Sequence, residues 1–444
     1  MTSPIRVSLL VAAAVVLMLL SVALEADDDL AALASYRGVY RARDGHAIGI
    51  DSFITDDGTP TLLLSDYESG LVRRMFGAKK DSFVVGPNFG TAAPTELTVD
   101  FRRDAAGNVI GISVRDSRGA EEAAARVPIT ERPVKFESET ATLAGTLIVP
   151  AANGSRPAIT LLHGSGPLTR HSFGPYPYFF ASLGFAVLVY DKRGTGESTG
   201  TRIDASTGRA LAPAMYPSDI LDDAVAAFRY LGTYSEIDAA RIGFWGSSEG
   251  GMLATQAAAR IPEAAFAIDS SGFMGPLWRT TLYHAAAYPR RAGAPEADVA
   301  ESVAFTQQWL DVARTGEGWE AFVARREEVR RKNPAALSWS SGEFASVDEM
   351  RWYWDHVLSF SPLPGLARVK APVLGVFGEL DVSTEAPVAA TNLRRALATA
   401  GNTDVTVKIF PGADHSLSAS SGGGMAPGVF ETLRSWLRAH VGGH

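Results

Sequence analysis

The 444-residue chain contains no cysteine. Disulfides, thiolate metal sites and a cysteine nucleophile are excluded together. The absence does not fix a compartment, because an exported protein can do without disulfides. Positive charge is also scarce: 41 Lys and Arg stand against 49 Asp and Glu, for a formal net charge of −8. A clustered basic footprint for nucleic acid is therefore not expected. There is no HExxH segment and no other clear ligand cluster, so neither a metal nor a cofactor is expected. Internal repeats and long low-complexity tracts are missing, and Ser418–Gly424 reads only as a short flexible loop. Hydrophobic residues, by contrast, make up 46% and charged residues 20%, the balance of a globular protein with a sizeable core. The length suffices for two or three domains of about 100–200 residues each.

Long apolar runs occur only at the start. Arg6 precedes the uninterrupted stretch Val7 to Leu24, followed by Glu25 and the acidic cluster Asp27, Asp28, Asp29. A basic start, an apolar core and small residues at Ser21 and Ala23 read as a secretory signal over residues 1–26, cleaved after Ala23 or Ala26. That reading implies export, to a periplasm or outside the cell. The alternative is an uncleaved anchor formed by residues 7–24, since about 18 residues fall between a signal core and a full membrane span. Membrane contact is expected through this segment alone, and only if it is retained.

Residues 30–130 read as an all-β module, a small barrel or sandwich. Apolar residues alternate or cluster at Tyr36–Arg43, His46–Thr55, Thr61–Ser65, Phe83–Val85, Glu96–Arg103 and Val109–Asp116, with Asp-Gly at 44–45 and 57–58 and Gly-Asn at 107–108 as turns. The module has no Ser-His-acid set of its own. It is either a packing domain or a surface for substrate or partner. From residue 131 the pattern becomes α/β. Apolar runs at 158–162, 185–190, 241–245, 264–268, 372–377 and 405–410 alternate with helical stretches near 175–183, 218–231, 249–260, 385–400 and 427–440. Such alternation implies a mostly parallel sheet covered on both faces, with Leu143–Val149 as an early antiparallel strand. The core divides into 131–272 and 370–444. Between them, residues 273–369 form an interruption of roughly 100 residues, against about 2–6 for an ordinary connection. This segment is helical in pattern and rich in aromatics: Trp278, Tyr283, Tyr288, Phe305, Trp309, Trp319, Trp339, Trp352, Tyr353 and Trp354. It reads as a lid, most of whose aromatics fill its own core.

The motif G-x-S-x-G occurs at Gly246–Gly250 and at Gly196–Gly200. The first follows the apolar strand Ile242–Trp245 and opens a helix, the context in which a sharp turn lifts a serine hydroxyl above a sheet. Ser248 is therefore the candidate nucleophile. Ser198 sits in a Gly-rich loop and reads as structural. A serine hydroxyl needs a base. Of the eight histidines, His415, in a loop after the strand Val405–Phe410, is the one placed at the sheet's C-terminal edge, while His163 reads as bracing its own loop. The acid that holds the base is expected at Asp381, in Gly378-Glu379-Leu380-Asp381 after the strand Val373–Phe377. Glu379 is the second choice and Asp414 the third. Donors for an oxyanion are expected from the backbone N–H groups of Ser165, in His163-Gly164-Ser165-Gly166, and of Glu249.

With these motifs in the order HGSG, Asp191-x-Arg193-Gly194-x-Gly196-x-Ser198, GSSEG, GELD and DHS, residues about 134–440 resemble the α/β-hydrolase superfamily. Within it the chain is similar to bacterial serine esterases and acyl hydrolases with a helical lid. The all-β module is not a standard part of that fold, and Glu249 after the nucleophile occurs only in some branches. The resemblance implies a serine hydrolase that cleaves a carboxylic ester, apolar on its acyl side given the aromatic lid, through an acyl-enzyme. A serine peptidase, amidase or thioesterase on the same Ser248–His415–Asp381 set is the alternative. A non-catalytic binding protein on this scaffold is the reading from another class; such a protein should have lost part of the set, and here every position is present.

Overall fold

A computed structural model describes residues 30–442, except 31, 56–57, 202, 205–208, 211–215, 335–336 and 338–342. The expected signal or anchor at 1–26 and the lid aromatic Trp339 lie outside the described residues. Among those described, no helix is long and apolar enough to cross a membrane.

The chain divides into two compact units. The first is a closed eight-stranded antiparallel barrel: β1 (Gly38–Ala42), β2 (Ala47–Ile54), β3 (Pro60–Asp66), β4 (Val72–Lys79), β5 (Ser82–Val85), β6 (Leu97–Arg103), β7 (Val109–Asp116) and β8 (Glu121–Arg126). Alternation at a period of two sends Ile48 and Ile50, Leu62 and Leu64, Val99 and Phe101 inward to one core. β1 pairs with β2 on one side and with β8 on the other, so Tyr40 faces both Ile48 and Arg126. Closure leaves no free sheet edge. β4 and β8 are strands that the sequence reading does not mark. Glu121–Arg126 reads EEAAAR, a helix-favouring stretch, but pairing on both sides and burial of Ala124 hold it extended. Residues His171–Ser182, with helix α1 (Tyr176–Ser182), group with this unit, where Tyr67 donates to the Pro175 carbonyl at 3.1 Å.

The second unit is built on one eight-stranded sheet. Its strands are β9 (Ile129–Ser138), β10 (Ala141–Pro150), β11 (Arg156–Leu162), β12 (Ala186–Tyr190), β15 (Ile237–Ser247), β16 (Ala267–Ser270), β17 (Val373–Gly378) and β18 (Val405–Phe410), with a small separate hairpin of β13 (Ile203–Asp204) and β14 (Arg209–Ala210). The order across the sheet is β18-β17-β16-β15-β11-β12-β10-β9. β10 is antiparallel to both neighbours, and the pairs from β12 to β18 are parallel. The central strands β11, β12, β16 and β17 are buried at every position, as strands covered on both faces must be. Edge strand β18 alternates between partly buried and exposed positions up to the buried Phe410. The main helices of the core are α2 (Ser218–Leu231), α3 (Glu249–Arg260), α9 (Ala386–Thr399) and α10 (Val429–Val441).

Between β16 and β17 lies the helical insertion: α4 (Leu277–Arg291), α5 (Glu296–Thr315), α6 (Trp319–Lys332), α7 (Val347–Tyr353), a π-turn at Trp354–Leu358 and the short α8 (Leu363–Leu366). Ser346 caps α7 by accepting from the Glu349 amide at 3.1 Å, while the Glu349 carboxylate accepts from the Ala345 amide. Phe305, Trp309, Phe322, Phe344 and Tyr353 pack on one another with ring centroids 5.4–5.7 Å apart. Most of the aromatic wealth of this segment is thus its own core.

Candidate functional site

β15 runs through Gly246 and Ser247 and turns sharply at Ser248 into α3. Ser248 takes φ 60° and ψ −121°, a conformation that costs a non-glycine residue about 1–3 kcal/mol and survives only where its surroundings impose it. Two close approaches impose it here. A Cβ on Gly246 would lie 2.0 Å from the Gly250 carbonyl oxygen, and one on Gly250 would lie 2.0 Å from the Leu162 carbonyl oxygen. The two flanking glycines of the motif are therefore required by packing. The Ser248 amide donates to the Ser270 carbonyl at 2.8 Å, which ties the turn to the next strand. The hydroxyl stands at the N-terminus of α3, where helix amides and dipole favour developing negative charge.

His415 and Asp381 come from loops after β18 and β17. His415 Nδ1 lies 2.8 Å from Asp381 Oδ2. The Asp381 side chain has no solvent exposure and that of His415 has 25%. The other oxygen, Oδ1, accepts from the Ser383 and Thr384 amides at 2.7 Å each, so the carboxylate is held in one orientation. Glu379 points elsewhere: its Oε2 accepts from the Gly412 amide at 2.8 Å. Asp414 closes its own turn on the amides of Ser416 and Ser418 at 2.9 Å. The loop of His415 approaches β17 so closely that a Cβ on Gly378 would lie 2.0 Å from the Asp414 carbonyl oxygen.

On the other side of Ser248 runs the loop after β11. Gly164 abuts the elbow, with its Cβ position 3.4 Å from the Ser247 oxygen and 3.5 Å from Ser248 Cβ. His163 Nε2 meets the Thr169 carbonyl at 3.1 Å. Burial first, and the neighbouring Lys192 charge second, push the His163 imidazole down to about 3, so it is a neutral brace of its loop. The amides of Ser165 and Glu249 donate to no protein acceptor among the described residues. The Glu249 side chain is buried in an ion pair with Lys192, whose Nζ also donates to the Gly164 carbonyl at 2.8 Å. The buried Tyr216 ring lies beside that carboxylate; burial, then the Glu249 charge, raises its phenol well above the ordinary range.

Ser248, Glu249, Ser165 and His415 line one cavity of about 340 Å³. Its remaining wall is the start of the insertion, the end of α7 and the loop after β17: Phe273, Leu277, Thr280, Tyr288, Tyr353 and Ser383 among others. Hydroxyls are as prominent as apolar groups there; Phe305 and Trp309 are buried in the insertion's own core. α4 is tied to the loop of Asp381 by Tyr283, which donates to the Asp381 carbonyl at 2.6 Å, and by His284 Nε2, 2.8 Å from the Ser383 carbonyl. Burial lowers the His284 pKa, so the ring is neutral and donates from Nε2. Lys192, Tyr216, Tyr283 and His284 carry no motif signal, because what makes them part of the site is contact across long sequence separations.

His46 in the barrel is bonded to Asp66 at 2.7 Å, His356 stacks on Trp352, and His440 pairs with Asp404 at 3.1 Å. Ser198 Oγ donates to the Asp191 carbonyl at 2.7 Å and accepts from the Ala144 amide at 3.0 Å: it staples the loop after β12 to strand β10. Among the described residues no group of three or more His, Asp or Glu side chains is arranged to hold a metal ion.

The model of the Alpha/beta hydrolase family matches residues 161–426. An uncharacterized 31.7 kDa protein from the traX-finO intergenic region of Escherichia coli is 36% identical over 118 residues, 27% of this chain and 38% of that one. The quorum-quenching protein AidA of Acinetobacter baumannii is 32% identical over 165 residues, 35% of this chain and 51% of that one. The chain thus spans about half or less of the length of these curated relatives. Among solved structures, the Pyrococcus furiosus esterase Pf2001 is similar at 17% identity and a TM-score of 0.45, over 71% of this chain and 92% of that one.

Proposed function

We propose, for a hydrolase that belongs to the alpha/beta hydrolase family, that Ser248, His415 and Asp381 transfer the acyl group of a carboxylic ester to water. The observation that carries this reading is the buried Asp381 carboxylate 2.8 Å from the Nδ1 of His415, a ring that lines one cavity with Ser248. With Asp381 accepting from Nδ1–H, the basic lone pair of His415 is on Nε2. Nε2 takes the Ser248 proton as Oγ attacks the acyl carbonyl, and Asp381 stabilises the imidazolium that forms. The carbonyl oxygen, now an alkoxide, receives hydrogen bonds from the Ser165 and Glu249 amides. His415 returns the proton to the leaving alcohol, and the same steps with water release the acid and restore Ser248. The Ser248 hydroxyl and His415 make no hydrogen bond to each other in this state; such contacts often tighten only when substrate is bound.

The insertion acts in this reading as a lid, since α4 and the end of α7 wall the cavity, and lids of this kind exclude water and shape the acyl pocket. The mixed hydroxyl and apolar wall and the volume of about 340 Å³ favour a short acyl group over a long chain. The test is a panel of p-nitrophenyl esters, thioesters and aminoacyl nitroanilides run on the wild type, Ser248→Ala and Ser198→Ala. Ester turnover should fall by about 10⁴-fold or more in Ser248→Ala and stay within a few-fold in Ser198→Ala. Turnover that survives Ser248→Ala and is lost in Ser198→Ala sinks the assignment. Preference for the nitroanilides would make the enzyme an amidase on the same residues.

A further inference from the structure

The segment Asp191-Lys192-Arg193 follows β12 and has no chemical task in the reaction above, yet it holds the loop beside Ser248 at several points. Asp191 accepts from the Arg170 amide at 2.8 Å and from the Arg170 guanidinium at 3.0 and 2.7 Å. The Lys192 amide donates to the Leu168 carbonyl at 3.1 Å. The Lys192 ammonium reaches both the Gly164 carbonyl, at 2.8 Å, and the Glu249 carboxylate.

We infer that Lys192 is a positioning residue that sets the spacing and aim of the two oxyanion donors; this rests on the acyl-transfer reading. The Gly164 carbonyl and the Ser165 N–H belong to one planar trans peptide group, so their bonds point in opposite directions. Anchoring the carbonyl oxygen on Lys192 therefore aims the Ser165 N–H away from Lys192, toward the cavity that Ser165 lines. The other anchor of the same ammonium is the side chain of Glu249, whose own amide is the second donor. One cation thus spans the two residues that supply the donors. It also neutralises a buried carboxylate that would otherwise stand beside a developing alkoxide and oppose it. Both effects act on the transition state more than on bound substrate, so they belong in kcat.

A purely structural buried ion pair can often be replaced by uncharged groups at little cost to stability, and this separates the two roles. Lys192→Met alone strands the Glu249 charge and should lower Tm. Lys192→Met combined with Glu249→Gln removes both charges and should fold with a Tm near wild type. In that double variant kcat on a short p-nitrophenyl ester should still fall by about 10- to 100-fold, because the donors lose their register, with KM within about threefold. Inhibition by phenylboronic acid, which forms a tetrahedral adduct on the serine, should weaken by a similar factor. A double variant that folds normally and keeps kcat and boronic acid inhibition within twofold of wild type overturns the inference while leaving Ser248 as nucleophile. If Ser248→Ala itself retains turnover, the acyl-transfer reading fails first, and this inference with it.

Discussion

Replacing Asp381 by Asn should lower kcat by about 10⁴-fold and leave the fold almost untouched. The side-chain oxygen of Asn can still accept from the Ser383 and Thr384 amides, which are 2.7 Å from Oδ1 in the wild type. The amide nitrogen then takes the place of Oδ2, 2.8 Å from His415 Nδ1. An NH₂ group donates where a carboxylate accepts, so the imidazole must carry its proton on Nε2 and cannot receive one from Ser248. At about 1.36 kcal/mol per decade, four decades correspond to about 5 kcal/mol of transition-state stabilisation. Asp381→Ala should lose similar activity but also leave both backbone amides without their acceptor, at about 1–3 kcal/mol each where they are buried. The pair of variants thus separates catalysis from stability. The assay is kcat and KM on a short-chain p-nitrophenyl ester at pH 8, with Tm measured on the same preparations. A folded Asp381→Asn enzyme that keeps more than about a tenth of wild-type kcat would refute the reasoning, most clearly if Glu379→Gln, whose side-chain oxygen can still accept from the Gly412 amide, were the variant that collapsed.

Gly378→Ala places a methyl group 2.0 Å from the backbone oxygen of Asp414, so the base loop must move; calorimetry should show a loss of about 1–3 kcal/mol, and ester turnover should fall with it. Asp269 is fully buried on β16, bonded through one oxygen to the Gly272 amide at 2.8 Å, and burial raises its pKa to about 7. Because the folded pKa lies above the unfolded one, its contribution is fully present below about pH 4 and is lost as pH rises toward and through about 7. Asp269→Asn should therefore flatten the decline in Tm between pH 5 and pH 8; a variant whose pH profile parallels wild type would show that Asp269 does not titrate in that window.

How much of this was legible in the sequence depended on whether the signal was local. The βα alternation marked the sheet, and the elbow showed itself by a strand before Gly246 and a helix after Gly250. Asp381 over Glu379 was a preference of position only; the geometry of Asp381 and His415 comes from where β17 and β18 end. β8 was illegible because its residues favour a helix and only closure of the barrel makes them a strand. Lys192 and Glu249, 57 positions apart, were illegible as a pair for the same reason: no local periodicity encodes a contact made by folding. Composition pointed to an aromatic core inside the insertion, which Phe305 and Trp309 form, but could not say that Tyr288 and Tyr353 reach the cavity, because it does not tell which face of a helix a ring occupies.

The parallel pair β16–β17 has a consequence for how activity returns during refolding. Ala267 faces Val373 across that pair, so the chain must close a loop of roughly 100 residues, with the helical insertion inside it, before the strand carrying Asp381 can dock. Pairings of such sequence separation form slowly compared with local helices. The elbow, by contrast, leans on β11 and β16, and neither His415 nor Asp381 has a fixed position until β17 and β18 are in place. Ellipticity from the helices of the insertion can therefore recover before His415 and Asp381 reach Ser248, and in the proposed reaction ester turnover reports the completion of the sheet rather than the collapse of the chain.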